Sequence, residues 1–158
     1  MFLRALLAFL VLPGVVAFVM PPLLAAIDPW RRGVFLPGAL VMLLGVVLVC
    51  WCVRDFYVSG KGTLAPWDPP AKLVVIGLYR YVRNPMYVGV VTLVLGWSVL
   101  FTSPVLMCYA LILAVGFHIR VLTYEEPWLE SQFGSEWRQY RSEVGRWFPK
   151  LTPWSHGS

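Results

Sequence analysis

A cluster of polar and aromatic side chains stands directly against an apolar run in the middle of this chain. Residues 77–89, which we call the polar segment, read GLYRYVRNPMYVG, and residues 88–101 form the apolar run. Arg83 and Asn84 supply hydrogen-bond donors, and the neighbouring tyrosines supply ring faces that attract cations. A chain that only needed to stay in a bilayer would not require such a cluster at the mouth of a membrane helix. The segment therefore predicts a site for a charged ligand.

Two glutamates further along the chain complete this predicted site. The apolar runs 86–101 and 104–123 are separated by residues 102–103 alone. A link this short requires an antiparallel helical hairpin. Two crossings return the chain to the membrane face from which it started, so Glu125 and Glu126 should lie beside the polar segment. The polar segment and the glutamate pair are therefore expected to share one site.

The combination of side chains indicates which ligand would suit the site. Carboxylates bind an ammonium group, and Arg and backbone N–H groups bind a carboxylate. Tyrosine rings stack on heteroaromatic rings and attract a cation over the ring face. S-adenosylmethionine has an amino-acid end, an adenine end and a sulfonium centre, so it would use all of these groups.

The composition places these residues in a membrane protein. The chain is 59% hydrophobic and 13% charged, whereas soluble domains carry about 25% charged residues. Its apolar runs are continuous rather than alternating, which favours helices over a barrel. We expect one all-α integral-membrane domain, residues 1–158, with about four transmembrane helices. The runs are 5–27 and 34–53, both within the N-terminal region of residues 1–53, and 86–101 and 104–123, which form the hairpin 86–123.

The distribution of Lys and Arg predicts the orientation in the membrane. With four spans, the N-terminus, the loop 54–85 and the chain after residue 123 share one side. The basic residues that belong to this side, including Arg120 close to the end of the fourth run, number eleven of the 13 Lys and Arg. The positive-inside rule then puts both termini and the cofactor pocket on the cytoplasmic side. In a bacterium, the membrane would be the inner or plasma membrane.

The segment 124–150 predicts an amphipathic helix followed by a tail. Pro127 suits a first helical turn. Apolar residues then recur at spacings of three and four, which is the pattern of one helix face. They are Leu129, Phe133, Trp137, Tyr140 and Val144. The pattern leaves open whether this helix lies on the membrane surface or folds over the cytoplasmic mouth of the hairpin.

Two pairs of glycines predict close packing between membrane helices. Gly38 and Gly45 lie on the second apolar run, and Gly89 and Gly96 lie on the third. Within each pair the spacing is seven residues, so both glycines share one helix face and permit close approach of a neighbouring backbone.

Metal ions and nucleic acid are not expected as partners. All three cysteines fall inside apolar runs and show neither a disulfide framework nor a zinc-ligand spacing. The net charge of +5 is attributed to membrane topology, because basic loops on a membrane protein mostly set its orientation. The partner expected from the composition is the lipid bilayer.

Four motifs in order resemble one family of membrane enzymes. Residues 83–89 read RNPMYVG and match R-[HN]-P-x-Y-x-G, and the glutamate pair follows the hairpin. Residues 133–140 match F-G-x-x-[YW]-x-x-Y, and residues 146–149 match R-x-x-P. This pattern resembles the isoprenylcysteine carboxyl methyltransferase and phospholipid N-methyltransferase group. The resemblance covers residues 72–149.

The resemblance implies roles for particular residues of this chain. Glu125 matches an active-site glutamate of the family, and Glu126 would lie close to the methyl-transfer centre. Residues that would bind S-adenosylmethionine are Lys72, Leu73, Val74, Tyr79, Arg83, Asn84, Pro85, Met86 and Tyr87. Many family members have His where this chain has Asn84, which cannot titrate near neutral pH.

One candidate catalytic residue stands out of register with the family. The family places an Arg about one turn before the first glutamate, where this chain has Val121, and Arg120 is its neighbour. One residue is a rotation of about 100° on an α-helix. The sequence therefore leaves open whether Arg120 contacts the substrate.

The resemblance implies a lipophilic or small-molecule methyl acceptor as a partner, and the identity of this acceptor stays open. Direct in-line methyl transfer needs no base when the acceptor is a carboxylate or a thiolate. An amine or a thiol must first lose a proton, and Glu125 or Glu126 is then the candidate base.

A rival hypothesis is a non-enzymatic four-helix membrane scaffold or transporter subunit. His118, within the fourth apolar run, suits a site role and an interhelical hydrogen bond equally well.

Overall fold

A computed structural model describes residues 10–59 and 73–155. Every regular element in these residues is helical, apart from one isolated parallel bridge between Val82 and Gly145. The α-helices are α1 (Met20–Ile27), α2 (Pro37–Ser59), α3 (Pro85–Phe101), α4 (Pro104–Arg120) and α5 (Glu126–Glu143). A π-helical segment, Leu10–Val19, leads into α1, and a 3₁₀ helix, Gly77–Arg80, precedes α3. A π-helical turn, Val121–Glu125, joins α4 to α5. The expected all-helical fold class is confirmed for these residues.

Two of the described helices are long and apolar enough to cross a membrane, judged by length and composition. They are Pro37–Asp55 and the continuous helix Pro104–Glu143, whose apolar portion is α4; both have a mean hydropathy of 2.1. Two further apolar helices, Gly14–Ile27 and Pro85–Phe101, are shorter. A helix rises about 1.5 Å per residue, and a spanning helix needs about 20 residues.

The predicted close packing of glycines is confirmed at the contact between α2 and α3. The two helices run antiparallel with their backbones almost touching. A Cβ added to Gly45 would stand 2.5 Å from Leu93 N, and one added to Gly96 would stand 2.4 Å from Met42 N. Real Cβ atoms do not approach a backbone this closely, so neither position accepts a side chain without movement of the partner helix. Gly38 and Gly89 face the same seam.

The expected hairpin of α3 and α4 closes within two residues. Thr102 has a φ of 47°, in the left-handed region, which reverses the chain after α3. Ser103 caps α4, since its hydroxyl accepts a hydrogen bond from Leu106 N at 3.2 Å. The same hydroxyl donates to Asp28, which is buried just after α1. These contacts fix the end of the hairpin opposite the polar segment.

The N-terminal helical segment packs against the hairpin and α2. Ala17 belongs to an apolar cluster with Val49, Val90 and Leu93. Trp97 donates to the carbonyl of Ala17 at 3.0 Å. The hydrogen bond and the cluster together hold the N-terminal segment and α2 against α3.

The apolar stripe of α5 is buried against the chain itself. Trp137, Tyr140 and Val144 are each 2% exposed and pack with Trp154 from the tail, residues 144–155. Leu73, Val75, Leu129 and Phe133 pack around this cluster. The apolar stripe of α5 therefore packs on the tail and on residues 73–75. Whether α5 also lies on the membrane surface or over the mouth of the hairpin stays a prediction.

The glycine seam yields a stability prediction. Gly45→Ala should destabilise the protein by about 1–3 kcal/mol, because the new methyl group would overlap the backbone of α3. Gly116→Ala on α4 is the matched control, since a Cβ there meets nothing within 4 Å. Thermal unfolding in lipid nanodiscs should show a lower Tm for Gly45→Ala and an unchanged or slightly raised Tm for Gly116→Ala. Equal Tm values for the two variants would contradict this packing of α2 on α3.

Candidate functional site

The tail holds the polar segment in place through backbone hydrogen bonds. Residues 80–83 pair with the tail along its length. Arg83 N donates to Gly145 O at 2.9 Å, Lys150 N to Tyr81 O at 3.0 Å, and Trp154 N to Arg80 O at 2.9 Å. The Arg80 side chain returns a bond, since its Nε donates to Trp154 O at 2.7 Å. The polar segment therefore depends for its shape on residues more than 60 positions further along the chain.

Asn84 connects the tail to the start of α3. Its Nδ2 donates to the carbonyl of Arg146 at 3.2 Å. Asn84 occupies the N-cap position of α3 but makes no side-chain cap there, and Pro85 follows at the first helical position. The first N–H groups of a helix have no intrahelical partner. The N–H groups of Met86 and Tyr87 thus lie at the positive end of the helix dipole, where a negative charge is stabilised.

Glu126 is bound by two arginines. Arg83 Nη1 lies 2.9 Å from Glu126 Oε1. Arg146 forms a two-pronged contact, with Nε 2.6 Å from Oε1 and Nη2 3.0 Å from Oε2. The side chains of Arg83 and Glu126 are only 8% and 9% exposed. The carboxylate therefore joins the polar segment, the start of α5 and the tail.

The pKa of Glu126 is lowered in this environment. Burial, the largest single influence, favours the neutral carboxyl group. The hydrogen bonds from Arg146 and the positive charge of Arg83 together outweigh burial and hold the pKa below its usual value. Glu126 is therefore ionised at neutral pH, with its charge balanced by the two guanidinium groups.

Glu125 faces a different set of partners. Tyr87 OH donates to Glu125 Oε1, and Arg120 Nε lies 2.8 Å from the same oxygen. Arg120 Nε also approaches Tyr87 OH at 3.2 Å. The Tyr87 ring stacks on Phe117 of α4 with centroids 4.3 Å apart. The Glu125 side chain is 26% exposed, so this carboxylate remains accessible while that of Glu126 is enclosed.

The π-helical turn brings Arg120 onto the same helix face as Glu125. Residues five apart on a regular α-helix point about 140° away from each other. In the turn Val121–Glu125 the N–H of Glu126 donates to Val121 O, five residues back, so one extra residue is taken into the turn. Arg120 and Glu125 consequently meet on one face, while Val121 is buried at 1% exposure. Single π-helical turns within α-helices are frequent at functional sites.

Three further predicted cofactor residues that the structure describes, Tyr79, Leu73 and Val74, are buried or half-buried. Tyr79 is 8% exposed, next to Cys52 and Asp55 of α2, and its carbonyl accepts a hydrogen bond from Tyr140 OH at 2.6 Å. Leu73 packs against the buried cluster of α5, and Val74 is half-buried. Lys72 lies outside the described residues.

Asp55 supports the polar segment, although sequence reasoning did not identify it. It is 3% exposed near the end of α2, and its Oδ2 accepts a hydrogen bond from Leu78 N at 3.3 Å. Gly77 has a φ of 52°, and a Cβ there would stand 1.9 Å from Asp55 Oδ2. The available signal was a carboxylate at the end of an otherwise apolar run.

His118 bonds to the tail rather than to the glutamates. Trp147 Nε1 donates to His118 Nδ1 at 3.0 Å. This bond joins α4 to the tail and not to another helix, and a site role for His118 stays a prediction. Among the described residues, no group of three or more His, Cys, Asp or Glu side chains could hold a metal ion.

Comparison with known proteins identifies the family. The sequence profile of the phospholipid methyltransferase family matches residues 34–136. The protein-S-isoprenylcysteine O-methyltransferase of Schizosaccharomyces pombe is 41% identical over 82 residues, which cover 50% of this chain and 34% of that relative. The match thus spans about a third of the relative's length. No solved structure matches. The profile covers most of the chain, including both glutamates and the start of α3, and the chain belongs to the phospholipid methyltransferase family.

Proposed function

We propose that this chain is an S-adenosylmethionine-dependent membrane methyltransferase, with its site between the start of α3 and the π-helical turn. The observation that carries this proposal is the arrangement of Glu125, Tyr87 and Arg120 around one carboxylate oxygen. An accessible carboxylate held in a fixed orientation beside a helix N-terminus is suited to binding a small zwitterion. Membership of a methyltransferase family supports the choice of cofactor.

The groups on this chain fit the amino-acid end of S-adenosylmethionine. Tyr87 and Arg120 both contact Oε1 of Glu125, so within the described residues Oε2 is left to accept from an ammonium group. The uncapped N–H groups of Met86 and Tyr87 suit the carboxylate of the same ligand. When bound, S-adenosylmethionine supplies a methyl group made electrophilic by its sulfonium centre. The protein must then align the acceptor with that methyl group and exclude water.

The two glutamates take different roles in this proposal. Glu125 is placed to touch the cofactor, and it can receive the proton of an amine or thiol acceptor. Glu126 has both oxygens occupied by arginines and is therefore a positioning residue. It acts by holding Arg83 and the start of α3 in place. Glu125 is thus the one carboxylate proposed to contact the cofactor and to act as a base.

The proposed position of the site in the membrane supports a particular class of methyl acceptor. We propose four spans, with the two shorter apolar helices crossing beside the two longer ones, and with the site on the cytoplasmic side. Exposed apolar side chains along α4, such as Ile112 and Val115, face the lipid. A site at the end of this hairpin meets the bilayer at its edge, which suits a lipophilic or small membrane-accessible acceptor.

Binding and transfer assays test the cofactor and the role of Glu125. Calorimetry on detergent-solubilised protein should detect S-adenosylmethionine binding by the wild type. Glu125→Gln should weaken binding about 10–100-fold, because a hydrogen bond to a charged group is worth about 1.5–3 kcal/mol. Tyr87→Phe should weaken it less, since Arg120 still holds Glu125. Transfer of radiolabelled methyl groups into a membrane-lipid extract should fall in the same order.

Glu130→Gln is the matched control for this series. Glu130 lies on α5 and makes only surface ion pairs with Arg138 and Arg141. Its variant should bind S-adenosylmethionine as the wild type does. A folded wild type that shows neither binding nor transfer would overturn the proposal and favour a non-enzymatic membrane scaffold or transporter subunit.

The enclosed carboxylate gives a stability prediction that depends on pH. Glu126→Gln should cost about 3–5 kcal/mol at neutral pH, because it leaves the buried charge of Arg83 uncompensated. The folded-state pKa of Glu126 is lowered, so its contribution is present above the unfolded pKa, near ~4.3, and is lost as the pH falls through the folded value. Thermal unfolding from pH 7 to pH 3.5 should therefore show the gap between wild type and variant beginning to narrow below about pH 4.

The same unfolding experiment has an internal comparison. Glu130→Gln should follow the wild type closely over the whole pH range, because exposed pairs contribute little to stability. A Glu126→Gln gap that stays constant between pH 7 and pH 3.5 would show that the ion pairs of Glu126 with Arg83 and Arg146 do not form.

A further inference from the structure

Two large apolar side chains project from the tail into solvent. Phe148 is 85% exposed and Leu151 is 99% exposed. Both belong to the segment 146–151, which we call the tail loop. By contrast, the apolar stripe of α5 is buried against Trp154. Phe148 and Leu151 are more exposed than the apolar residues at the end of α4, Ile119 and Leu122.

The tail loop is fixed in shape, so its apolar side chains cannot fold back onto the core. Gly145 pairs with the polar segment at one end, and Lys150 N donates to Tyr81 O at the other. Between them the chain turns tightly: a Cβ added to Gly145 would stand 2.5 Å from the carbonyl oxygen of Phe148. Phe148 and Leu151 are thus presented outward by a braced loop.

The hydrogen bond to His118 sets the depth of the tail loop relative to the bilayer. Trp147 donates to His118 in the last turn of α4, two residues before Arg120. At about 1.5 Å per residue, His118 lies about 3 Å along the helix from that charged residue. The neighbouring side chains of α4 and the turn, Ile119 and Leu122, are 54% and 41% exposed and continue the lipid-facing surface. The tail loop therefore starts at the level where the apolar helix ends.

The residues of the tail loop have the composition of a membrane-interface segment. It reads RWFPKL, so an aromatic pair and a leucine are combined with two basic residues. Trp and other aromatic residues collect at the level of lipid headgroups, and basic residues nearby are attracted to anionic lipids. Lys150 of this segment is half-buried, and Arg138 and Arg141 of α5 are exposed and share the carboxylate of Glu130.

We propose that the tail loop is a membrane anchor that inserts Phe148 and Leu151 into the interface of a bilayer containing anionic lipids. The proposal rests on the continuity of the loop with the exposed face of α4 and does not depend on methyl transfer. It places the bilayer boundary beside the residues that hold Glu126, because Arg146 and Trp147 are adjacent in the chain. The polar segment, the glutamates and the lipid surface then meet along one edge of the protein.

Spin labels report the depth of the tail loop directly. In a background of Cys50→Ala and Cys108→Ala, the fully buried Cys52 is left in place. Single cysteines at Phe148→Cys and Leu151→Cys would be labelled in nanodiscs of phosphatidylcholine with a quarter phosphatidylglycerol. Ile119→Cys on the lipid-facing side of α4 and Gln139→Cys on the exposed side of α5 are the reference positions. Power saturation with oxygen and with a water-soluble nickel complex then measures the surroundings of each label.

The outcomes distinguish the proposal from its alternatives. Labels at 148 and 151 should have oxygen-to-nickel accessibility ratios between those of the two reference positions, at least about twofold above the 139 label. Adding His118→Ala should move both ratios towards the 139 value, because it releases Trp147. Ratios equal to that of the 139 label in intact, folded protein would overturn the proposal. Labels shielded from both reagents would also overturn it, since they would indicate a protein partner. Neither result bears on S-adenosylmethionine binding.

Discussion

The enclosed carboxylate of Glu126 is the interaction on which the rest of this site depends. It is contacted by Arg83 from the polar segment and by Arg146 from the tail, and all three side chains meet where α5 begins. A buried carboxylate with two guanidinium partners is stable only when all of them are in place, since any one alone would be an uncompensated charge. The triad therefore couples three segments of the chain that are far apart in sequence. Glu125, the preceding residue, gains its fixed position from this coupling.

Adjacent glutamates can serve different ends because of helix geometry. Consecutive residues on a helix point about 100° apart, so one carboxylate can face the interior while its neighbour faces the opening. Here the inward carboxylate, that of Glu126, is paired with two arginines, and the outward one, that of Glu125, is contacted by Tyr87 and Arg120 at a single oxygen. The π-helical turn is what lets Arg120 join the outward one. The structural role of Glu126 and the proposed binding role of Glu125 thus occupy two successive positions without competing for the same partners.

The sequence predicted the features of the site that follow from local rules. The short link at residues 102–103 was enough to bring Tyr87 and Glu125 together, and the seven-residue spacing of Gly45 and its partners was enough to predict the packed seam. The direction of the α5 stripe could not be predicted, because lipid and protein interior are equally apolar and give the same periodicity.

Other features needed the fold itself. The π-helical turn depends on a single extra residue, which hydrophobic periodicity does not detect. The distinction between Glu125 and Glu126 required the path of the tail, which returns Arg146 to the hairpin. Asp55 accepts a hydrogen bond from Leu78, more than 20 residues further along the chain, and no sequence pattern between them predicts this contact.

The pairing of residues 80–83 with the tail also has a consequence for the order in which the protein is made. The glycine seam and the hairpin use only residues up to about position 120, so these helices can enter a membrane and pack while the ribosome is still adding the C-terminal region. The hydrogen bonds between residues 80–83 and the tail cannot all form until the chain has grown past Trp154. If the helices span the membrane as proposed, a chain stopped after α5 would hold the packed seam and the hairpin without the tail that braces the polar segment.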